Sequence, residues 1–463
     1  MAGMKNMTLS AIAAAIGGKA CNIEKAGNRT ASGVVIDSRQ VEEGFIFIAI
    51  KGERVDGHSF ISQVFEKGAL AVVVEEMPSD FDNDKPYILV ESSAEALRKM
   101  AAYYRSNLDI KLVGITGSVG KTSTKEFIAA VLAEKYKVLK TEGNFNNEIG
   151  LPLTILKIRD EHEIAVIEMG ISHFGDMKPL GEIAKPDICV ITNIGYCHLE
   201  YLIDRDGVLK EKTDMFNYAN NDAEYVLNGD DDKLATVLKV RGKEPVFVSL
   251  KDLSKPVHVN KIIRSGIEGS VCDVSVYGES VELNIPLPGR HMISNALVAC
   301  AVGRLCNVDT EQMKLGIAGL KPVGGRLNII RENGYTIIDD CYNANPVSMK
   351  ASIDVLKYAD TRKVAILGDM FELGACEAKL HGDIGAYLAG ADMNIDVLVT
   401  VGTLSKNISI AAIEAGYNGR CIHYGTLEEC LTDLEHNLEK GDTILIKASH
   451  GMQLEKIINS LTK

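Results

Sequence analysis

The chain has 463 residues, of which 46% are hydrophobic and 24% charged, with a formal net charge of -13. That composition is globular and long enough for roughly two to four domains, no apolar run approaches the ~20 residues that span a bilayer, and the acidic balance argues against broad nucleic-acid binding, which needs a basic surface to displace counterions. Ten cysteines are scattered from Cys21 to Cys430 without a C-x-x-C pair, which points away from a zinc site or a disulfide framework and towards a reduced, cytoplasmic setting.

In chain order, "LSAIAAAIGGKA" reads as an alanine-rich first helix rather than a secretory segment, being short and preceded only by Lys5. Residues 1–104 then mix short strands such as "GFIFIAI" and "LAVVV" with turn signals, as a small α/β unit does. Across 105–318 apolar runs recur between helical stretches: "KLVGITG", "IAVIEMG", "DICVITNIG" and "AEYVLNGDD". Each ends in Gly, Asn or Asp, the pattern of buried parallel strands with functional loops at their carboxyl ends. The alternation restarts over 319–463 with "YTIIDD", "KVAILGD", "IDVLVTVG" and "DTILIKAS", which predicts a second open, doubly wound sheet. The expected fold is therefore three α/β domains, the central one of phosphate-loop type with a parallel sheet and the last Rossmann-like.

The stretch "GITGSVGKTSTKE" carries the first chemistry. A strand running into Gly117 and Gly120, then a helix opening near Lys121, presents backbone N–H groups and the positive end of a helix dipole to an anion. Lys121 can reach the outer phosphates of a nucleotide and the Thr122 hydroxyl can bind Mg²⁺. Residues Thr116, Gly117, Ser118, Val119, Gly120, Lys121, Thr122 and Ser123 are the expected ATP loop, although the strict phosphate-loop pattern asks for glycine where this chain has Ile115.

T-G-x-x-G-K-T after a strand resembles the ATP loop of the Mur ligases and their folylpolyglutamate synthase relatives. "GNFNNEIGLPLTIL", "AVIEMGISHFGDM", "ITNIGYCHLEYL", "LPGRHMISNALVACAVG", "GGRLNII", "DDCYNANPVSMKAS", "ILGDMFELG" and "IKASHGMQLEKII" extend the resemblance along nearly the whole chain. The DCYNANP and DMFELG segments resemble the member of that family that adds a dipeptide, rather than those that add single amino acids. The resemblance implies ATP and Mg²⁺ as cofactors and UDP-N-acetylmuramoyl-tripeptide and D-alanyl-D-alanine as organic partners. It also implies a monomer, joining carboxylate to amine through an acyl phosphate.

Residue by residue, the resemblance makes Glu168 a magnesium ligand and His198 the holder of a second magnesium. Lys212 matches the lysine carried as a carbamate, with Lys210 as its competitor. Asn146 and Asn147 are expected to face the muramoyl peptide, or else to form a turn; Asn295 contacts adenine, or else caps a helix. Arg326 and Asp340 are expected to close over phosphates and ribose, with Tyr342, Asn345 and Pro346 around them. In the first domain Ser38 and Arg39 are expected to hold the UDP end, or else to be an exposed turn. Val119, Ser172 and His450 depart from the family's usual residues, which touches substrate detail rather than ATP use. Two other readings share the loop: a sister ligase, and a phosphate-loop switch that hydrolyses nucleotide with no acceptor amine.

Overall fold

A computed structural model describes residues 3–463 apart from 53, 80 and 391. Among the described residues there are three sheets, of five, nine and six strands. In the first, Gly33–Val35, Phe45–Ile48, Ala71–Val74 and Tyr87–Leu89 run parallel, and Lys19–Cys21 closes one edge antiparallel to Tyr87–Leu89. The helix Leu9–Ile16 begins at Thr8, whose side chain caps it by accepting from Ala11 N. Gly17, left-handed at φ 69°, ends it.

The middle sheet places Lys111–Thr116 between Ile164–Glu168 and Ile188–Ile191, all parallel. Ile115 is fully buried in this ladder, in register with Glu168 on one side and Val190 on the other. A glycine there would forfeit core packing, and the sharp turn falls instead at Gly117, with φ 149°. A side chain could not replace it, because a Cβ at that position would lie 1.9 Å from Thr192 Oγ1.

The helix Lys121–Ala133 then packs back onto the sheet. Phe127, Ile128, Val131 and Leu132 are wholly buried against the sheet and the helices Arg290–Leu305 and Thr310–Ala318. Burial of each such side chain is worth on the order of 1.5–3 kcal/mol.

The far half of this sheet differs from the parallel expectation. Val257–Gly266, Gly269–Val276 and Glu279–Ile285 form an antiparallel meander. Its second turn is Tyr277-Gly278, both at positive φ, the backbone that joins twisted strands in two residues. The third sheet runs in the order Asn328–Glu332, Tyr335–Asp339, Thr443–Lys447, Lys363–Gly368, Val397–Val401, Arg420–Tyr424, parallel except for its first strand. Apolar contacts continue from the middle sheet into the third unit and, on its other face, into the first.

Candidate active site

The phosphate-loop turn and the facing edge of the third unit enclose a cavity of about 880 Å³. Its lining brings together Ser118 to Ser123, Asn146, Asn147, Glu168, His198 and Asn295 from the middle unit with Arg326, Asp340, Tyr342 and Asn345 from the third. Thr116 and Gly117 of the loop, and Ser38 and Arg39 of the first unit, are not part of this lining. Thr116 Oγ1 is buried and has no hydrogen-bond partner.

Lys121 curls over the loop, its Nζ donating to the Gly117 carbonyl at 2.9 Å. Thr122 donates its hydroxyl to Glu168 Oε2 at 2.9 Å, and Asn146 Nδ2 donates to Glu168 Oε1 at 2.8 Å. Glu168 itself is held by its N–H, which donates to Thr141 Oγ1 at 2.9 Å. The carboxylate is 2% exposed and reaches the loop because its strand ends in register with Ile115.

Two of the loop's amides are already engaged. Ser118 N donates to the Asn193 carbonyl and Val119 N to Asn193 Oδ1, both at 3.0 Å. Asn193 Nδ2 returns a bond to the Val119 carbonyl, as does Thr192 Oγ1. The amides left open to an anion are those at the helix opening, where Lys121, Thr122 and Ser123 have no intrahelical carbonyl to bond. Asn193 was not expected from the sequence. Its signal there was position alone, just after the apolar run "ICVIT".

Asn295 is buried, its Oδ1 accepting from Thr124 Oγ1 at 3.0 Å and its Nδ2 set against Met292 Sδ. This ties the helix Arg290–Leu305 to the phosphate-loop helix. Asn147 exerts its hold locally, accepting from the N–H groups of Ile149 and Gly150. Asn345 caps the helix Pro346–Leu356 in a reciprocal box with Ser348. In the first unit, hydrogen bonds from Arg39 hold the Asp37 carboxyl at about 2, and the Arg39 side chain is largely exposed.

Across the cleft, the Arg326 guanidinium lies 3.9 Å over the Tyr342 ring, which stacks in turn on His450 at 6.0 Å. Asp340 accepts from Ser352 Oγ, from Leu327 N and from Lys447 Nζ. Lys447 is 1% exposed at the end of the neighbouring strand and was missed in the sequence, where a lysine closing "TILI" was the available sign. Removing one partner of a buried ion pair strands the other. Lys447 Nζ also donates to the Asn343 carbonyl at 3.1 Å, but that neutral oxygen does not balance its charge. Asp340→Ala is therefore expected to lower the unfolding free energy by about 3–5 kcal/mol, as read by denaturant unfolding, and a loss below about 1 kcal/mol would show that the Asn343 carbonyl alone suffices for Lys447.

His198 is left-handed at φ 53°, and its Nδ1 lies 2.7 Å from Glu372 Oε2 of the third unit, an ion-pair distance without hydrogen-bond alignment. His198 beside it holds the Glu372 carboxyl below its ordinary value. Lys212 is fully buried and its Nζ has no hydrogen-bond partner. Burial lowers its amine to about 8, opposed by Cys197 and assisted by the positive charge of Lys121. Lys210 instead is exposed, over the Phe174 ring. No cluster of three or more His, Cys, Asp or Glu side chains suited to a metal occurs among the described residues.

A phosphate-loop cavity shared between two α/β units defines the class as a nucleotide-dependent enzyme. The chain belongs to the Mur ligase family. Residues 30–105 match the family's catalytic-domain profile, 115–303 that of the Mur ligase middle domain, and 325–450 that of the glutamate ligase domain. It is 38% identical over 437 residues, 93% of each chain, to the UDP-N-acetylmuramoyl-tripeptide–D-alanyl-D-alanine ligase of Bacillus subtilis (strain 168). It is 32% identical over 435 residues to the ligase of the same name from Escherichia coli (strain K12), covering 93% of this chain and 94% of the other.

Among solved structures, MurF from Acinetobacter baumannii aligns over all of both chains with a TM-score of 0.87 and 29% identity. MurF ligase from Thermotoga maritima in complex with ADP aligns over 93% of this chain and 97% of the other, with a TM-score of 0.80 and 30% identity. Folylpolyglutamate synthase from Mycobacterium tuberculosis, at 19% identity, shares the fold.

Proposed function

We propose that this chain is an ATP-dependent amide ligase that joins D-alanyl-D-alanine to the peptide carboxylate of UDP-N-acetylmuramoyl-tripeptide. The products are UDP-N-acetylmuramoyl-pentapeptide, ADP and phosphate, a precursor step of peptidoglycan synthesis. The observation that carries the reading is the single cavity in which the phosphate loop and Glu168 face Arg326 and Asp340. In this reading ATP binds at the loop, between the two units, with its γ-phosphate towards Glu168.

A carboxylate does not acylate an amine at neutral pH. The tripeptide carboxylate therefore attacks the γ-phosphorus, the bond to the β-phosphate oxygen breaks, and ADP leaves. The dipeptide's neutral amine attacks the acyl phosphate carbonyl, phosphate departs, and the amine's proton is lost to solvent or buffer. Two anions must meet in the first step, so Lys121 and Arg326 act by placing positive charge at the transferring phosphoryl group. Closure of the third unit excludes water that would otherwise hydrolyse the acyl phosphate.

The donor set suits magnesium: a hydroxyl, Thr122, bonded to a buried carboxylate, Glu168, at the helix opening. His198 and a carbamate formed on Lys212 are the further ligands in this reading, and the unpartnered buried Nζ fits a lysine that is to react with carbon dioxide. When bound, Mg²⁺ neutralises phosphate charge. Asn146 orients Glu168 and, with Asn147 and Tyr342, borders the peptide. Ser38 and Arg39 of residues 1–104 hold the UDP end; residues 105–318 bind ATP; residues 319–463 close the site. No described helix is long and apolar enough to cross a membrane, and the reading is of a cytoplasmic monomer.

The test is stoichiometric. ADP release is expected only when both the tripeptide nucleotide and D-alanyl-D-alanine are present, with mass spectrometry identifying the pentapeptide product from lysine- and diaminopimelate-containing tripeptides. Rapid ATP cleavage with neither organic substrate would instead mark a phosphate-loop hydrolase.

A further inference from the structure

The segment Asp369–Gly374 leaves the carboxyl end of the strand Lys363–Gly368 and is held along its length. Asp369 accepts from Ser405 N at 2.7 Å and from Thr403 N at 3.1 Å. Met370 N donates to His381 Nε2 and Phe371 N to Ser449 Oγ, both at 2.9 Å, and Leu373 is 2% exposed. Between these anchors Glu372 has φ 62°, a left-handed conformation that residues with a Cβ rarely adopt. The anchors over-determine that backbone, so the carboxylate is delivered to a fixed place.

That place is 2.7 Å from Nδ1 of His198, on the opposite side of the cleft. His198 has no other polar partner on Nδ1, is itself left-handed, and lines the cavity. The Glu372 side chain is 53% exposed, so core packing does not account for its conformation.

We infer that Glu372 is a positioning residue: from the third unit it fixes the ring orientation and tautomer of His198, so that this histidine takes its working pose when the cleft is closed. A carboxylate oxygen 2.7 Å from Nδ1 repels a lone pair on that nitrogen and so favours the tautomer protonated there, which leaves the Nε2 lone pair free. The inference rests on the ligase reading.

The test compares Glu372→Gly, which suits the left-handed backbone and removes the carboxylate, with Glu372→Gln, which keeps an acceptor at the same reach. Glu372→Gly is expected to lower kcat at least about tenfold, with KM for ATP within about twofold and an unchanged melting temperature, and Glu372→Gln to recover most of the loss. In enzyme labelled with ¹⁵N-histidine, the His198 resonances, assigned by their loss in His198→Gln, are expected to report the Nδ1-protonated tautomer in the wild type and a mixture in Glu372→Gly.

Wild-type kcat and an unshifted tautomer in Glu372→Gly would overturn the inference. So would a loss that appears as raised KM for the dipeptide, or one that follows a drop in melting temperature. Failure of the wild type to couple ATP cleavage to the two organic substrates would overturn the ligase reading instead.

Discussion

Lys121→Ala is expected to lower turnover by at least about a hundredfold while leaving the fold intact. The ammonium is the positive side chain of the loop itself, free to move from the Gly117 carbonyl it bonds at 2.9 Å to a phosphate oxygen at the helix opening. Its contribution grows as charge develops on the transferring phosphoryl group, so the loss belongs in kcat more than in KM. A hundredfold corresponds to about 2.7 kcal/mol of transition-state stabilisation. Steady-state ADP release with both organic substrates saturating is the measurement, with thermal melting as the control. Turnover near wild type would place the ATP site elsewhere.

The second large effect is expected at Lys212. A lysine that is fully buried, without a hydrogen-bond partner and lowered to about 8, is neutral near neutral pH far more often than an ordinary lysine. The neutral amine is the form that adds carbon dioxide. The product is an anionic oxygen ligand where an ammonium would repel a cation.

Lys212→Ala is therefore expected to lose activity by at least about a hundredfold and to regain part of it with added acetate, which supplies the missing carboxylate. Lys210→Ala, at an exposed lysine over Phe174, is expected to stay within about twofold of wild type. Full activity of Lys212→Ala without added acid would remove the carbamate from the reading. Mass spectrometry under native conditions, with and without bicarbonate, checks the modification directly.

Much of the site could be read from residue order because parallel strands announce themselves as continuous apolar runs and end where the chemistry begins. Glu168 closes the apolar run "IAVIE", and its carboxylate accepts from Thr122 Oγ1 of the loop. The competition between Lys210 and Lys212 could not be decided on spacing, since two residues of helix separate them by about 200°. Burial separates them.

What stayed hidden was long-range pairing. The meander from Val257 to Ile285 turns on Tyr-Gly rather than the Asn-Gly or Asp-Gly that signals a hairpin, so its antiparallel course was not visible. Asn193 and Lys447 act through partners 74 and 107 residues away, Val119 and Asp340, and no local pattern marks such pairs. Asn147 and Asn345 show the reverse difficulty: a short amide side chain suits a substrate or its own backbone equally well, and the structure gives both of them local backbone bonds.

The register of Ile115 with Glu168 also constrains how this protein can change. Ile164–Glu168 is laddered on both sides, to Lys111–Thr116 and to Val138–Lys140, and a slip of one residue would turn the Glu168 carboxylate to the other face of the sheet. Single-residue insertions or deletions inside these strands should therefore abolish phosphate chemistry in a protein that still folds. Length changes beyond the strand ends, in the loops around the cavity, leave the alignment of Thr122 with Glu168 untouched. New acceptors can thus be acquired by editing loops, with the nucleotide half of the reaction carried over unaltered.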